Sequence, residues 1–470
     1  MPTKEKLVFL SFSLGSACQA PEPYVVPGGA IVFEGGLVLS AENTAPATVV
    51  VYGDRIEAVL DTSTPLTGDY TSIDGEGRTL MPGLIDLHTH VWYPGELTLF
   101  PANGVTSVRN LFGDDLQLQW RAEIESSERL GPHLYTSGPI VDGANPIWPG
   151  SDIVTNTDTA AEVVQAQRDA GYDAIKVYNR LTKQGWLATL EAAAENGLPV
   201  VGHVPWSVTY EEVLESSQTT IEHLDGFVDV ASHAATPVNI YDAEALLQSI
   251  SNVDPSQVDA LAALAADSNV WNTPTLVVFD RFGTQDEQES WMSADDMRYV
   301  HPDRRAVWTN PDFALPNENI NALDLYTDAL MGFTRALVEA DAPVVLGTDS
   351  GNAFVNHGFS VHEELELLVE AGLTPQAALD AATSEAAAAL GLELEVGKVE
   401  PGYRADLLLL EADPRESVSN AQERAGVMIA GRWWTEAELQ AELAALAEEY
   451  ASMAANASAP GAQPCPDHQP

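Results

Sequence analysis

Two β-patterned segments flank a long stretch in which short apolar runs alternate with helical ones. From Gly28 to Met81, AIVFEGGLVL, ATVVVYG, RIEAVL and YTSIDGEGRTL alternate apolar residues with Gly- and Asp-rich turns, the pattern of half-buried strands. A similar segment follows much later, VGKVEPGYRADLLLLEAD (396–413) and then VMIAGRWW (427–434). Each is too short to make a stable domain by itself. The simplest arrangement is one small composite β-sandwich domain built from residues 28–81 and 392–434.

The intervening residues 82–391 read as repeated strand–helix units. The strand-like runs are LIDLH (84–88), VTSVRN (105–110), LYTSG (134–138), AIKVY (174–178), PVVGH (199–203), TTIEH (219–223), TPTLVV (273–278) and PVVLGTD (343–349). Helical patterns lie between most of them. Lys183 to Asn196 is Ala- and Glu-rich and stops at Gly197-Leu-Pro, a helix-end signal; 323–340 and 361–371 are similar. Eight strands alternating with helices predict an α/β chain with a (β/α)₈ TIM barrel. Residues 279–316, with Trp291, Met292, His301 and Trp308 among polar neighbours, break the rhythm and read as an insertion over the barrel mouth. An amphipathic helix is expected at 435–456 and a disordered Ala/Pro/Gln-rich tail at 457–470.

The N-terminus adds a localisation signal. Lys4 and Lys6 precede an apolar run that is too short to span a bilayer, and small residues then lead to Cys18. This order predicts export, with residues 1–27 as leader and linker. Leu-Gly-Ser-Ala-Cys resembles a lipobox with its Leu one place further from the cysteine than usual, which makes Cys18 a candidate lipid anchor and the protein periplasmic or membrane-anchored. Cys465 is the only other cysteine, so no disulfide framework is indicated.

Charge narrows the partners. With 21 Lys and Arg against 70 Asp and Glu, the formal charge is −49. Such a chain repels phosphate backbones and anionic bilayers, so nucleic-acid binding is not expected. A small-molecule substrate is, with a homo-oligomer as one assembly the sequence allows.

The chemistry lies in the histidines. The first strand of the repeat ends Asp86-Leu87-His88-Thr89-His90. Residues i and i+2 of a strand share a face, so His88 and His90 can grip one ion. Strands five and six end at His203 and His223, and strand eight ends at Asp349. In a (β/α)₈ barrel the C-terminal strand ends meet around one mouth. Lys176 sits mid-strand between apolar neighbours in Ala-Ile-Lys-Val-Tyr, where burial lowers an amine's pKa. A neutral amine can take up CO₂ as a carbamate, which can bridge two ions; the plainer alternative is a Lys paired with a carboxylate. With the carbamate there are ligands for two divalent metals: His88, His90 and Asp349 on one, His203 and His223 on the other, and carboxylated Lys176 between. Imidazole and carboxylate suit Zn²⁺, with Mn²⁺, Fe²⁺ or Co²⁺ as alternatives. Such a centre supplies hydroxide near neutral pH, and Asp349 can carry its proton to a leaving amine.

These residues fall in motifs that resemble the amidohydrolase superfamily, in the branch of imidazolonepropionase and prolidase-like peptidases. The motifs are MPGLIDLHTH (81–90), GVTSVRNLFG (104–113), DAIKVY (173–178), GLPVVGHVP (197–205), TTIEHLDG (219–226), VVLGTDSG (344–351), HGFSVHEELELLVEAGLTPQAALDAAT (357–383) and VGKVEPGYRADLLLL (396–410). The resemblance spans about residues 28–434. It implies a barrel with a composite β-domain and metal-dependent hydrolysis of amide bonds in small molecules. Imidazolonepropionases are typically mononuclear and lack the strand-four Lys, so Lys176 points to the binuclear, prolidase-like relatives. The expected substrate is a small dipeptide, Xaa-Pro among them, or an N-acyl amino acid. The alternatives are a cyclic-amide hydrolase resembling imidazolonepropionase and a non-catalytic binding barrel.

Four residues are candidates for substrate contact. Tyr178, two residues after Lys176, can hydrogen-bond substrate or serve packing. Arg109 can receive a substrate carboxylate or pair with a structural acid. Trp92 follows the metal motif and can line the pocket, and His357 can touch substrate or cap a helix. His133 reads as structural. No Gly-rich phosphate loop and no GxSxG elbow are present.

Overall fold

A computed structural model describes residues 22–39, 44–234, 236–238, 240, 242–310 and 315–457. Cys18, Cys465, most of the leader and residues 458–470 lie outside the described residues, so the expectations of export, lipid anchoring and a disordered tail fall there. No described helix is long and apolar enough to cross a membrane.

The two β-patterned flanks share one eight-stranded sheet. Ala30–Val38 pairs antiparallel with Ala45–Tyr52, which pairs with Arg55–Asp61. Thr79–Pro82 lies parallel to the end of the first of these and antiparallel to Leu407–Leu410, which continues into Arg424–Ile429 and Arg432–Thr435. All four leucines of Leu407–Leu410 are buried. Leu407 and Leu409 pack with Phe33, Val49 and Met428, while Leu408 and Leu410 enter the large core below. An unbroken apolar run is what a strand covered on both faces requires.

Between the flanks the chain is α/β. Parallel ladders join Leu84–Thr89 to Val105–Asn110 and the latter to His133–Thr136. Further ladders join Ile175–Val177 to Val200–Gly202 and Thr220–Glu222 to Trp271–Thr273. Single parallel bridges connect Ser137 to Ala174, Val200 to Gln218, Asn272 to Val344 and Thr89 to Ser350. Lys183–Asn196 is helical over the span the sequence indicated, with the Thr182 side chain accepting from Gly185 N–H at its start and left-handed Gly197 at its end.

Two strands differ from expectation. In TPTLVV only Thr273 is extended; the strand is Trp271–Thr273, and Leu276–Asp280 is helical. Thr275, at φ 50°, turns the chain, and buried Glu364 accepts the Leu276 and Val277 N–H groups. A cap supplied by a distant helix overrides the β-propensity of the Val pair. Residues 343–349 make one isolated bridge, at Val344, and single hydrogen bonds rather than a continuous ladder.

The 279–316 segment carries short helices, Gln285–Met292 and Pro302–Trp308. Its Arg304 lies over the Trp92 ring and donates to the Gly351 carbonyl, which ties the segment to the ends of the first and last parallel segments. The final helix, Glu436–Ala457, buries Leu439, Leu443, Leu446 and Tyr450, a stripe at helical spacing.

Candidate active site

The six side chains expected to converge do so at the C-terminal ends of the parallel segments. Asp349 Oδ1 lies 3.3 Å from His88 Nε2 and 3.0 Å from His90 Nε2, and its Oδ2 is 3.9 Å from His223 Nε2. Lys176 Nζ is 3.5 Å from His88 Nε2. The His203 and His223 rings are 4.8 Å apart, and His223 is 4.7 Å from His88. Among the described residues, His88, His90 and Asp349 form a group whose ligand-type atoms all lie within 4.8 Å of one another.

The backbone at this point departs from plain strand geometry. His223, Thr275 and Asp349 are left-handed, with φ of 61°, 50° and 59°. Each such conformation costs a non-glycine residue about 1–3 kcal/mol, and it is retained where the surroundings over-determine it. Gly347 is required by close approach, because a Cβ there would sit 2.5 Å from Thr273 Cγ2 and 2.9 Å from His88 Cβ.

Outer groups aim the rings. His88 Nδ1 is 2.8 Å from Glu222 Oε2, His223 Nδ1 is 2.7 Å from Thr275 Oγ1, and His203 Nδ1 is 2.6 Å from Asp225 Oδ2. For His88 and His223 a hydrogen bond engages Nδ1 and leaves Nε2 for the centre, and at His203 the Asp225 carboxylate lies against Nδ1 in the same way. The sequence reading missed these partners. Glu222 was inside the TTIEH motif, but strict alternation would place it on the face opposite His223. The left-handed turn at His223 lets neighbouring residues serve one centre.

The four candidates for substrate contact divide. Arg109 is 3% exposed; its Nε donates to the Leu87 carbonyl at 2.7 Å and one terminal nitrogen to Glu222 Oε1 at 2.8 Å. Its role as a carboxylate receptor is therefore corrected: it is the structural partner of Glu222 beneath the site. His357 is buried, with Nε2 2.9 Å from the His90 carbonyl, so it braces the metal motif instead of facing a ligand. Trp92 stacks on His90, with centroids 5.9 Å apart and planes 16° from parallel. The Tyr178 ring is 4.0 Å from that of His203, and its hydroxyl accepts from Trp148 Nε1 at 2.8 Å. His133 is structural, 3.1 Å from Asp406.

Burial sets the electrostatics. It pushes the Lys176 amine down to about 8, against the opposing pull of Glu222 and Asp349. It pushes His223 down to about 3 and His88 well below the ordinary imidazole value, so both are neutral at pH 7 and able to ligate. Burial alone would raise Asp349, but His223, His90 and Lys176 outweigh it and hold the carboxyl well below its usual range. Asp349 Oδ1 is buried without a hydrogen bond. An ionised carboxylate held among the His88, His90 and His223 imidazoles fits a divalent cation: the cation would compensate the buried charge and take up imidazole lone pairs.

Comparison with known proteins decides the family. Residues 79–434 match the model of the Amidohydrolase family. The chain belongs to this family. It is accordingly a hydrolase acting on carbon–nitrogen bonds, in a family whose members are typically metal-dependent. An imidazolonepropionase from Rubrobacter xylanophilus is 29% identical over 417 residues, covering 83% of this chain and 91% of that protein. Among solved structures, bottromycin amidohydrolase matches with a TM-score of 0.72 and 26% identity over 89% of this chain and 90% of its own. A Xaa-Pro dipeptidase with bound methionine in the active site shares the fold, with a TM-score of 0.64 at 18% identity over 87% of this chain and 100% of that one.

Proposed function

We propose that this amidohydrolase is binuclear and cleaves the amide bond of a small dipeptide, Xaa-Pro among them, or of an N-acyl amino acid. The observation that carries the reading is Lys176, 1% exposed and 3.5 Å from His88 Nε2, beside a ring of the same cluster that holds His90, His223 and Asp349. Burial keeps a useful fraction of this amine neutral, the form that adds to CO₂. His88, His90 and Asp349 would hold one cation and His203 and His223 the other, with carboxylated Lys176 between them. The cations, Zn²⁺ in the first instance, would supply Lewis acidity at the carbonyl oxygen and water acidified to near neutral pH.

The chain's own residues do the rest. Glu222, Thr275 and Asp225 fix the imidazoles. Asp349 takes the proton of the attacking water on Oδ2, the oxygen not facing His88 and His90, and passes it to the departing nitrogen; such transfers contribute about 10²–10⁴-fold. Trp92 and Tyr178 cover the flanks of His90 and His203 and limit bulk water.

The same reading takes the parallel ladders and the four connecting bridges as one (β/α)₈ barrel over residues 82–391. It takes the eight-stranded sheet, with the small Tyr24–Val25 and Leu66–Thr67 ladder on it, as the composite β-sandwich. Export through the leader, with Cys18 as a lipid anchor, belongs to it as well.

The 29% identity to an imidazolonepropionase favours a second reading, a cyclic-amide hydrolase. A panel of Xaa-Pro dipeptides, N-acyl amino acids and cyclic imides, assayed with the metal-loaded protein, separates the two. Hydrolysis of linear amides with about two metals per chain is expected. Turnover confined to cyclic imides, with one metal per chain, would overturn the binuclear linear-amide reading.

A further inference from the structure

Behind His203, on the far side of Asp225, lies a cavity of about 410 Å³, large enough for a small organic group. It is formed by residues that follow Lys176, His203 and His223 in the chain, among them Asn179, Trp206, Glu211, Asp225 and Asp229, with Tyr326 behind. One histidine, His233, also lines it, and among the described residues no lysine or arginine does. Asp225 joins it to the reaction centre: its Oδ2 touches His203 Nδ1 and accepts from Asn179 Nδ2 at 3.1 Å.

Beyond Asp225, which is held by His203 and Asn179, the charge in this wall has no ion-pair partner among the described residues. Asp229 accepts the Val238 N–H at 2.6 Å, and no lysine or arginine pairs with it among the described residues. Burial, reinforced by Asp225 and opposed by the Val238 hydrogen bond, pushes its pKa up to about 6. Glu211 Oε2 is buried with no hydrogen-bond partner among the described residues. The Trp206 ring stands 45% exposed, and the Arg180 guanidinium already lies 5.7 Å from its centroid, so the ring face accepts cations. Arg180 itself donates to the Asn145 carbonyl.

A carboxylate placed here would face three acids, and a neutral group would leave their charge unmatched. A cation would gain charge-assisted hydrogen bonds and an aromatic wall. We propose that this cavity receives a cationic group of the substrate, an ammonium or guanidinium, and that the preferred amides carry such a side chain. This rests on the amide-hydrolase reading.

The test uses the metal-loaded protein with two matched pairs. Hydrolysis is compared between an aminoacyl-arginine dipeptide and its citrulline isostere, and thermal stabilisation between free arginine and citrulline. The charged member of each pair is expected to win by at least tenfold in kcat/KM and in apparent affinity. Asp229→Asn, which keeps an acceptor for the Val238 N–H, is expected to erase that ratio while hydrolysis of the citrulline dipeptide continues. Glu211→Gln gives an independent second variant with the same expected direction. Equal kcat/KM for the two dipeptides, unchanged by either variant, would overturn the cavity assignment and leave amide hydrolysis standing. Arginine-selective stabilisation lost in Asp229→Asn, with neither dipeptide cleaved, would uphold the cavity and overturn the linear-amide reading. Equal stabilisation and no cleavage would overturn both.

Discussion

Glu222→Gln tests how the centre is held. Glu222 is 0% exposed and joins two others: Oε2 faces His88 Nδ1 and Oε1 faces Arg109, each at 2.8 Å, with the Thr220 hydroxyl also on Oε1. Glutamine fits the space but has one acceptor. If its oxygen faces Arg109, its amide donates to His88 Nδ1, which forces the tautomer protonated on Nε2 and removes that nitrogen as a ligand. If its oxygen faces His88, an NH₂ abuts the guanidinium. Either way Arg109 loses the carboxylate that neutralises it at 3% exposure. Breaking such a buried pair costs about 3–5 kcal/mol, and losing the brace of a ligating histidine costs about 10–100-fold in metal affinity. The assays are urea denaturation of the metal-free protein and competitive chelator titration. The double variant Glu222→Gln/Arg109→Met tests whether the two effects share this cause. Removing the orphaned charge is expected to recover much of the stability and, by freeing the glutamine oxygen to accept from His88 Nδ1–H, part of the metal affinity as well. A single variant with wild-type stability and wild-type metal affinity would refute the reasoning, as would a double variant no more stable than the single one.

Other expectations follow from the same geometry. Lys176→Ala should bind less than two metals per chain and lose most activity, with partial rescue by formate or acetate; normal metal content and rate without rescue would argue against a bridging carbamate. Gly347→Ala drives a methyl into Thr273 and His88, so a loss of about 1–3 kcal/mol and weaker metal binding are expected by denaturation and chelator titration. Asp406 is buried, and although burial opposes its ionisation, His133, Arg404 and the Ala430 N–H outweigh that and hold its pKa below the unfolded value. A depressed carboxyl stabilises above the unfolded value of about 3.9 and loses that contribution as pH falls through the folded one. Asp406→Asn should therefore cost about 3 kcal/mol at pH 7 and less at pH 3; a deficit independent of pH would show that Asp406 acts by packing alone.

What the sequence carried was local. Val105–Asn110 and Lys183–Asn196 stand where their patterns put them, because their ends are set by nearby residues: the Thr182 cap and Gly197 for the helix. The His88/His90 pair was legible for the same reason, since alternation along one strand puts both rings on one face. What escaped was decided by residues distant in the chain. Glu364, on another helix, turns Leu276 and Val277 into a helix start, and Glu222 claims Arg109.

The left-handed turns explain why the missed residues belong to the site at all. In an unbroken strand, Glu222 and His223 would point to opposite faces and only one could reach the centre. With His223 at φ 61°, its ring joins His88 and His203 while Glu222 stays on the interior side and grips His88 from behind. Asp349, at φ 59°, turns in the same way and presents its two oxygens to different histidines. Two adjacent positions thus supply one imidazole of the site and the brace of another. The effect of substituting Glu222 should therefore be sought in the tautomer of His88, a residue far away in sequence, before it is sought in its neighbour His223.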